Sequence, residues 1–300
     1  MRDLSVRVHN IVRKSLSLVI LGTAVLATCA CGAVGPSVTS PRLYVLDGGV
    51  LASDPARYRL TEAEVKSVPL SIAAYLIVHP KGVLLWDAGA ISDEERTSRG
   101  SGSELRVTRA DGQERVVTLA PPLEEQLRAV GYSRSDVTHL ALSHYHWDHT
   151  ANANAFAHTT WLVRQVERDA MFDAEPRGAS RPATYSALQK SRAVIITAEE
   201  HDVFGDGTVI IKHAPGHSEG HQVLYLKLAH TGGVVLSGDL YHYPEERALG
   251  RLPTFEVSEE QTASARRELE AFLARTAAQL WIQHDLVGHR ALRKAPEYYE

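Results

Sequence analysis

The chain has 300 residues, near the upper end of what one hydrophobic core serves, so one large domain or two fused layers is expected. Its 44% hydrophobic content suits a globular chain. Against 36 Asp and Glu stand 32 Lys and Arg, and setting aside the basic leader described next leaves 35 against 28. So acidic a chain lacks the positive footprint that a nucleic-acid partner needs.

Residues 1–30 read as a secretory leader. Arg2, Arg7, Arg13 and Lys14 precede an uncharged run, Leu16 to Thr28, that at 13 residues falls short of the about 20 needed to cross a bilayer as a helix. Both cysteines, Cys29 and Cys31, close this run, and "LATC" resembles the bacterial lipobox, in which a cysteine becomes the lipidated first residue. The expected product is exported: lipid-anchored through Cys29 or Cys31, or free in the periplasm or outside the cell. Either way the folded domain has no disulfide and no thiolate metal ligand. Residues 31–41, with "GAVGPSVTSP", form a linker, and 42–300 form the domain.

In chain order, strands are expected at Leu43–Leu46, Ala73–Val78, Val83–Trp86, Val137–Leu142, Thr160–Val163, Val194–Thr197, Thr208–Lys212, Gln222–Leu228, Val234–Leu236 and Leu280–Gln283. Helices are expected at Leu123–Val130, Val166–Phe172 and Ser258–Ala277, the last with Leu269, Phe272 and Leu273 on one face. Two segments break the pattern. Ile91 to Pro122 contains a hairpin turning at Asp111-Gly112, and Asp173 to Leu188 reads as a loop over the domain.

The densest chemistry is "LSHYHWDHT", which puts His144, His146, Asp148 and His149 into six positions after an apolar run. In extended chain, residues i and i+2 share a side, so His144 and His146 close on one ion. Asp148 and His149, past a turn, face a second position, which suits two adjacent metals. Imidazole and carboxylate without thiolate select zinc, iron, cobalt or manganese, and zinc is the expected ion. Further donors stand where strands end: His217 in "APGHSEGH", Asp239 in "VVLSGDLYHY" and His284 in "LWIQHD".

These residues resemble the metallo-β-lactamase superfamily, whose H-x-H-x-D-H motif is matched by His144, His146, Asp148 and His149. The likeness runs from "LLWDAG" through "APGHSEGHQ", "LSGDL" and "IQHD". Within the superfamily it is most similar to the N-acyl-homoserine-lactone lactonases, on the "PGHSEGHQ" block, the "QHD" pair and the terminal "APEYYE". The resemblance implies an α/β (α+β) four-layer αβ/βα sandwich of two mixed β-sheets flanked by helices. It also implies two divalent metal ions, with His144, His146 and His217 on the first, Asp148, His149 and His284 on the second, and Asp239 bridging. Asp87 would orient a ligand histidine, and His221 would support rather than coordinate.

The lactonases carry a tyrosine three residues after the bridging aspartate to polarise the carbonyl. Here that position is His242, between Tyr241 and Tyr243, so any of the three is open for the role. Trp147 is expected to line the pocket or to pack beneath it.

"GHSEG" also satisfies the G-x-S-x-G pattern of serine hydrolases, with Asp239 and His284 following in that order. That elbow needs a helix after Gly220, whereas "HQVLYLKLA" alternates as a strand does, so Ser218 is read as a turn or supporting hydroxyl.

Two cations sharing a water make a nucleophile near neutral pH. The expected reaction is therefore hydroxide attack on a lactone or related ester, with Asp148 or Asp239 carrying the proton. Another hydrolase of the superfamily, acting on β-lactams, phosphotriesters or aryl esters, is the enzymatic alternative. A metal-binding envelope lipoprotein without turnover is the non-enzymatic one.

Overall fold

The computed structural model describes residues 38–96 and 99–300; the leader, Cys29, Cys31 and linker residues 31–37 lie outside the described residues. Among those described, no helix is long and apolar enough to cross a membrane.

The first sheet has eight strands. In chain order they are β1 (Arg42–Leu51), β2 (Leu70–His79), β3 (Gly82–Trp86), β4 (Glu104–Thr108), β5 (Glu114–Thr118), β6 (His139–Ala141), β7 (Thr160–Val163) and β8 (Arg192–Ile195), arranged β4-β5-β1-β2-β3-β6-β7-β8. The second has five: β9 (Glu200–Asp202), β10 (Val209–His213), β11 (Gln222–Leu228), β12 (Gly232–Leu236) and β13 (Gln279–Trp281), arranged β13-β12-β11-β10-β9. Both are mixed. Strands β3, β6, β7 and β8 run parallel, as do β12 and β13, and the remaining pairs are antiparallel.

The layers follow from side-chain alternation. Every residue of β2 is buried, and its period of two splits them between two cores. Tyr75 and Ile77 meet Val209, Ile211, Leu224 and Leu226 of the second sheet. Leu76 and Val78 face Leu123 and Leu127 of α1 (Leu123–Ala129), the outer helical layer. On the far side, Val223 and Val235 pack on Ala265, Leu269 and Leu273 of the 18-residue helix Glu259–Thr276. That helix starts at Ser258, whose side chain accepts from Gln261 N. Helix, sheet, sheet, helix is the four-layer arrangement expected.

Departures from the sequence reading have local causes. The expected Val137–Leu142 strand pairs only over His139–Ala141, because Leu142 and Ser143 already turn toward the histidine motif. The last strand stops at Trp281, and Gln283 turns its amide inward onto Asp87. Strand β9 and three short helices, α2 (Trp147–Thr150), Pro244–Leu249 and Leu286–Ala291, are too brief for a hydrophobic period to show. The Asp173–Leu188 segment is no free flap. Its backbone accepts from Ala110 at Ser180 (3.0 Å), from Asp111 at Gly178 (3.1 Å) and from Trp147 at Ala179 (3.0 Å).

Candidate metal centre

Strand β3 runs into Asp87, held at φ 59°, a left-handed backbone that aspartate tolerates. Its carboxylate accepts from Ser143 N at 2.6 Å and from His149 Nδ1 at 2.9 Å. Gln283 Nε2 donates to the same carboxylate at 2.7 Å. Asp87 thus fixes both the start of the histidine motif and the orientation of His149, whose Nε2 lies 3.0 Å from Asp239 Oδ1. The turn into α2 then carries Asp148 and His149 away from His144 and His146.

The second sheet supplies the other three donors. Gly216 precedes His217 at φ 131°, where a Cβ would lie 2.2 Å from Thr262 N, so only glycine permits this close approach. His217 Nδ1 meets Glu256 Oε1 at 2.9 Å, leaving Nε2 at 3.2 Å from Asp239 Oδ2 and 2.9 Å from His146 Nδ1. His284 donates from Nδ1 to Ser71 O at 2.6 Å and presents Nε2 at 3.0 Å from Asp239 Oδ1. His221 is supportive: its Nε2 accepts from Asp239 N at 2.9 Å and its Nδ1 faces Ala214 O.

The seven residues fall into two groups whose donor atoms lie within 4.8 Å of one another: His144, His146, His217 and Asp239, then Asp148, His149 and His284. All seven are buried. His144 Nε2, His149 Nε2, His284 Nε2 and Asp239 Oδ1 have no hydrogen-bond partner among the described residues. Buried polar atoms left unpaired are costly, and facing ring nitrogens such as those of His146 and His217 call for a shared cation. The donor set therefore fits two divalent ions.

Electrostatics divides the histidines: the carboxylates of Asp239 and Asp87 outweigh burial and raise His149 well above its ordinary value, whereas His144 and His146 go the other way. Burial and the neighbouring imidazoles hold His144 and His146 well below the usual histidine range, in the neutral form that ligates. Burial opposes ionisation of Asp239, but His149, His284 and His144 hold it well below the usual carboxylate range. Burial would likewise lower His217, yet Glu256 and Asp239 raise it to about 10.

Of the three residues open for the carbonyl-polarising role, only His242 faces the cleft above this centre. Tyr241 donates its hydroxyl to Glu270 at 3.1 Å and packs under the long helix. Tyr243 donates to Val68 O at 2.5 Å. The expectation that either tyrosine serves is therefore corrected: adjacent residues of extended chain point to opposite sides, and here the middle one points in. Glu246 locks this arrangement, accepting from His242 N at 2.6 Å and Tyr243 N at 2.8 Å at the start of Pro244–Leu249.

Ser218 is no nucleophile, since its Oγ donates to the buried Glu167 at 2.8 and 2.9 Å and β11, a strand, follows it. Trp147 both lines the cleft and packs with Leu51, Tyr58 and Leu70. Four carboxylate and amide supports, Glu256, Glu246, Glu167 and Gln283, were given no role by the sequence reading; each sits in a loop or on a short helix.

Residues 68–278 match the metallo-beta-lactamase superfamily, and the chain belongs to it. It is a lactonase-like, metal-dependent hydrolase of that superfamily. N-acyl homoserine lactonase AttM of Rhizobium johnstonii is 28% identical over 270 residues, covering 87% of this chain and 100% of the relative. N-acyl homoserine lactonase AiiA of Bacillus thuringiensis subsp. kurstaki is 24% identical over 265 residues, covering 87% and 100%. Among solved structures, an N-acyl homoserine lactone hydrolase with N-hexanoyl-L-homoserine bound at its catalytic metal centre superposes with a TM-score of 0.70 at 24% identity, over 87% of this chain and 100% of that one. The dizinc quorum-quenching lactonase AidC gives a TM-score of 0.62 at 17% identity, over 88% and 96%.

Proposed function

We propose that the protein is an exported lactonase holding two divalent ions, zinc in the first place, that opens N-acyl-homoserine lactones or related esters. The observation that carries this reading is the convergence of seven buried donors into two groups around Asp239. The lactonase relatives, similar over their whole length, supply the substrate class. Bound there, the ions would bring a shared water toward a pKa of about 7 and draw electrons from a carbonyl oxygen.

The chain's own residues divide the remaining work. Imidazoles crowd both oxygens of Asp239, His149 and His284 beside Oδ1 and His144, His217 and His242 beside Oδ2. Among the described residues Asp148 has a single distant partner, His284 at 3.8 Å, and it lines the cleft. Asp148 is thus the freer carboxylate to take the proton from the attacking water and return it to the leaving oxygen. His242, with Nε2 3.2 Å from Asp239 Oδ2 and Nδ1 3.4 Å from Glu246 Oε2, takes the carbonyl-polarising place. Trp147, Leu51 and Leu70 offer an apolar wall for an acyl chain.

The test is a side-by-side assay of zinc-loaded protein on homoserine lactones, β-lactams and phosphotriesters. Lactone opening that is lost on chelation and regained with zinc or cobalt is expected; full activity after exhaustive metal removal sinks the reading. Export rests on the leader alone, and fractionation of cells expressing wild type and a Cys29→Ser, Cys31→Ser double variant tests it.

A further inference from the structure

The cleft above the metal centre, of about 400 Å³, carries more positive charge than a neutral acyl lactone calls for. Four arginines line it, Arg57, Arg109, Arg115 and Arg177, against two carboxylates outside the metal centre, Asp111 and Glu219. Arg109 holds Asp111, with Nε 3.2 Å from Oδ1. Arg177 lies 3.6 Å from Glu219 and 3.4 Å from Asp173. Among the described residues no carboxylate pairs with the other two. Arg115 gives its donors to neutral oxygens, Glu114 O at 3.0 Å and Gln113 Oε1 at 2.8 Å. Arg57 stands over the Phe255 ring, 4.7 Å from its centroid.

Their placement is specific. In the hairpin register, Leu105 faces Val117 and Val107 faces Arg115, so Arg115 shares a face with the buried Val107 and Val117. Apolar periodicity would put another aliphatic side chain at that inward position, and the chain has a guanidinium instead. Arg57 arrives from a separate element, the 3-10 turn Pro55–Tyr58, whose Tyr58 ring packs on His242 at 4.7 Å. Burial and the nearby Arg57 and Arg109 lower the Arg115 guanidinium from its ordinary value, outweighing the opposing pull of Asp111, as expected where cations outnumber anions. Holding such charges together in a half-buried wall is unfavourable until an anion arrives.

We propose that the cleft selects substrates bearing a carboxylate at the end of the acyl group remote from the scissile bond, with Arg115 and Arg57 as its counter-cations. This rests on the lactonase reading above and narrows its substrate class. A guanidinium fork suits a carboxylate because two parallel N–H donors match its two oxygens.

The experiment uses zinc-loaded, full-length protein and two ring-opened ligands, N-hexanoyl-L-homoserine and its counterpart with a terminal carboxylate in place of the terminal methyl. Calorimetry should give a Kd at least tenfold lower for the carboxylate ligand, a gap that shrinks as salt rises. An Arg57→Met, Arg115→Met double variant, whose side chains keep much of the packing, should lose the gap, and Arg57→Lys, Arg115→Lys should keep part of it. Equal binding of the two ligands by wild type, or a gap undiminished in the methionine variant, overturns the proposal. Turnover of neutral lactone alongside equal binding sinks this inference alone. No turnover of the neutral lactone and no binding of either ligand sinks the lactonase reading and this proposal with it.

Discussion

His242 lies parallel to His284, ring centroids 5.5 Å apart and planes inclined by 3°, so a residue beside the candidate metal centre is stacked on one of the histidines that would hold an ion. Replacing His242 by Phe keeps a flat ring there and removes the N–H. A fall in kcat on lactones of about a hundredfold is expected, the size of losing one oxyanion-directed donor. His242→Tyr restores a donor of the kind the lactonases use and should recover at least tenfold of that loss. Steady-state kinetics checks both, and a Phe variant within twofold of wild type removes His242 from the chemistry.

Glu256 accepts from His217 and is itself buried against Thr262. Burial opposes its charge, yet His217 holds its carboxyl below the usual range. Glu256→Gln keeps the shape and weakens the grip on the imidazole. Zinc affinity should drop about ten- to a hundredfold, measured by competition with a chromogenic chelator, while far-UV circular dichroism stays unchanged.

Asp239→Ala should do more, because this carboxylate touches both ligand groups. Metal analysis is expected to give fewer than two zinc ions per chain, with lactone turnover lost. Two ions retained with measurable turnover would falsify the bridging role.

Burial pushes the Glu167 carboxyl up to about 7, outweighing the donors from Ser218, Gly220 and Tyr145. A folded-state value above the unfolded one, about 4.3, means the native protein binds the proton more tightly between them. Stability from this group is therefore fully present below the lower value and is lost as pH rises through about 7, by up to roughly 4 kcal/mol. In denaturant titrations of zinc-loaded protein at pH 5 and pH 8, Glu167→Gln should narrow the difference. A wild-type-like pH slope in the variant would exclude Glu167 as its source.

Removing the metals should lower Tm by on the order of 10 °C, since ions that bind only the folded state stabilise it by mass action. Differential scanning calorimetry with and without chelator reads this directly.

The sequence made the donors legible because each candidate ligand is chemically marked and several stand at strand ends: His144, Asp239 and His284 all follow apolar runs. The sheets were legible for the same reason, as β2 and β11 carry their burial in plain periodicity. What holds the donors was not. Glu256 and Glu167 look like solvated glutamates, and only the folded chain brings His217 and Ser218 to them across 39 and 51 residues. His242 was nameable as an exception, but the direction its neighbours face depends on Glu246 reaching back to cap the next helix. Arg115 was passed over because its inward face follows from the hairpin register, which a turn at Asp111-Gly112 fixes only once the strands are paired.

Each of the two ligand groups draws on both sheets: the motif after β6 belongs to the first, while His217, Asp239 and His284 belong to the second. Cations held by both groups would therefore act as rivets between two halves of the molecule. If zinc is the ion held there, a substitution that lets those halves slip, however remote from any histidine, should present itself as zinc deficiency. Supplementing growth medium with zinc should rescue lesions of that kind and leave lesions in the chemistry untouched, which sorts inactive variants before any of them is purified.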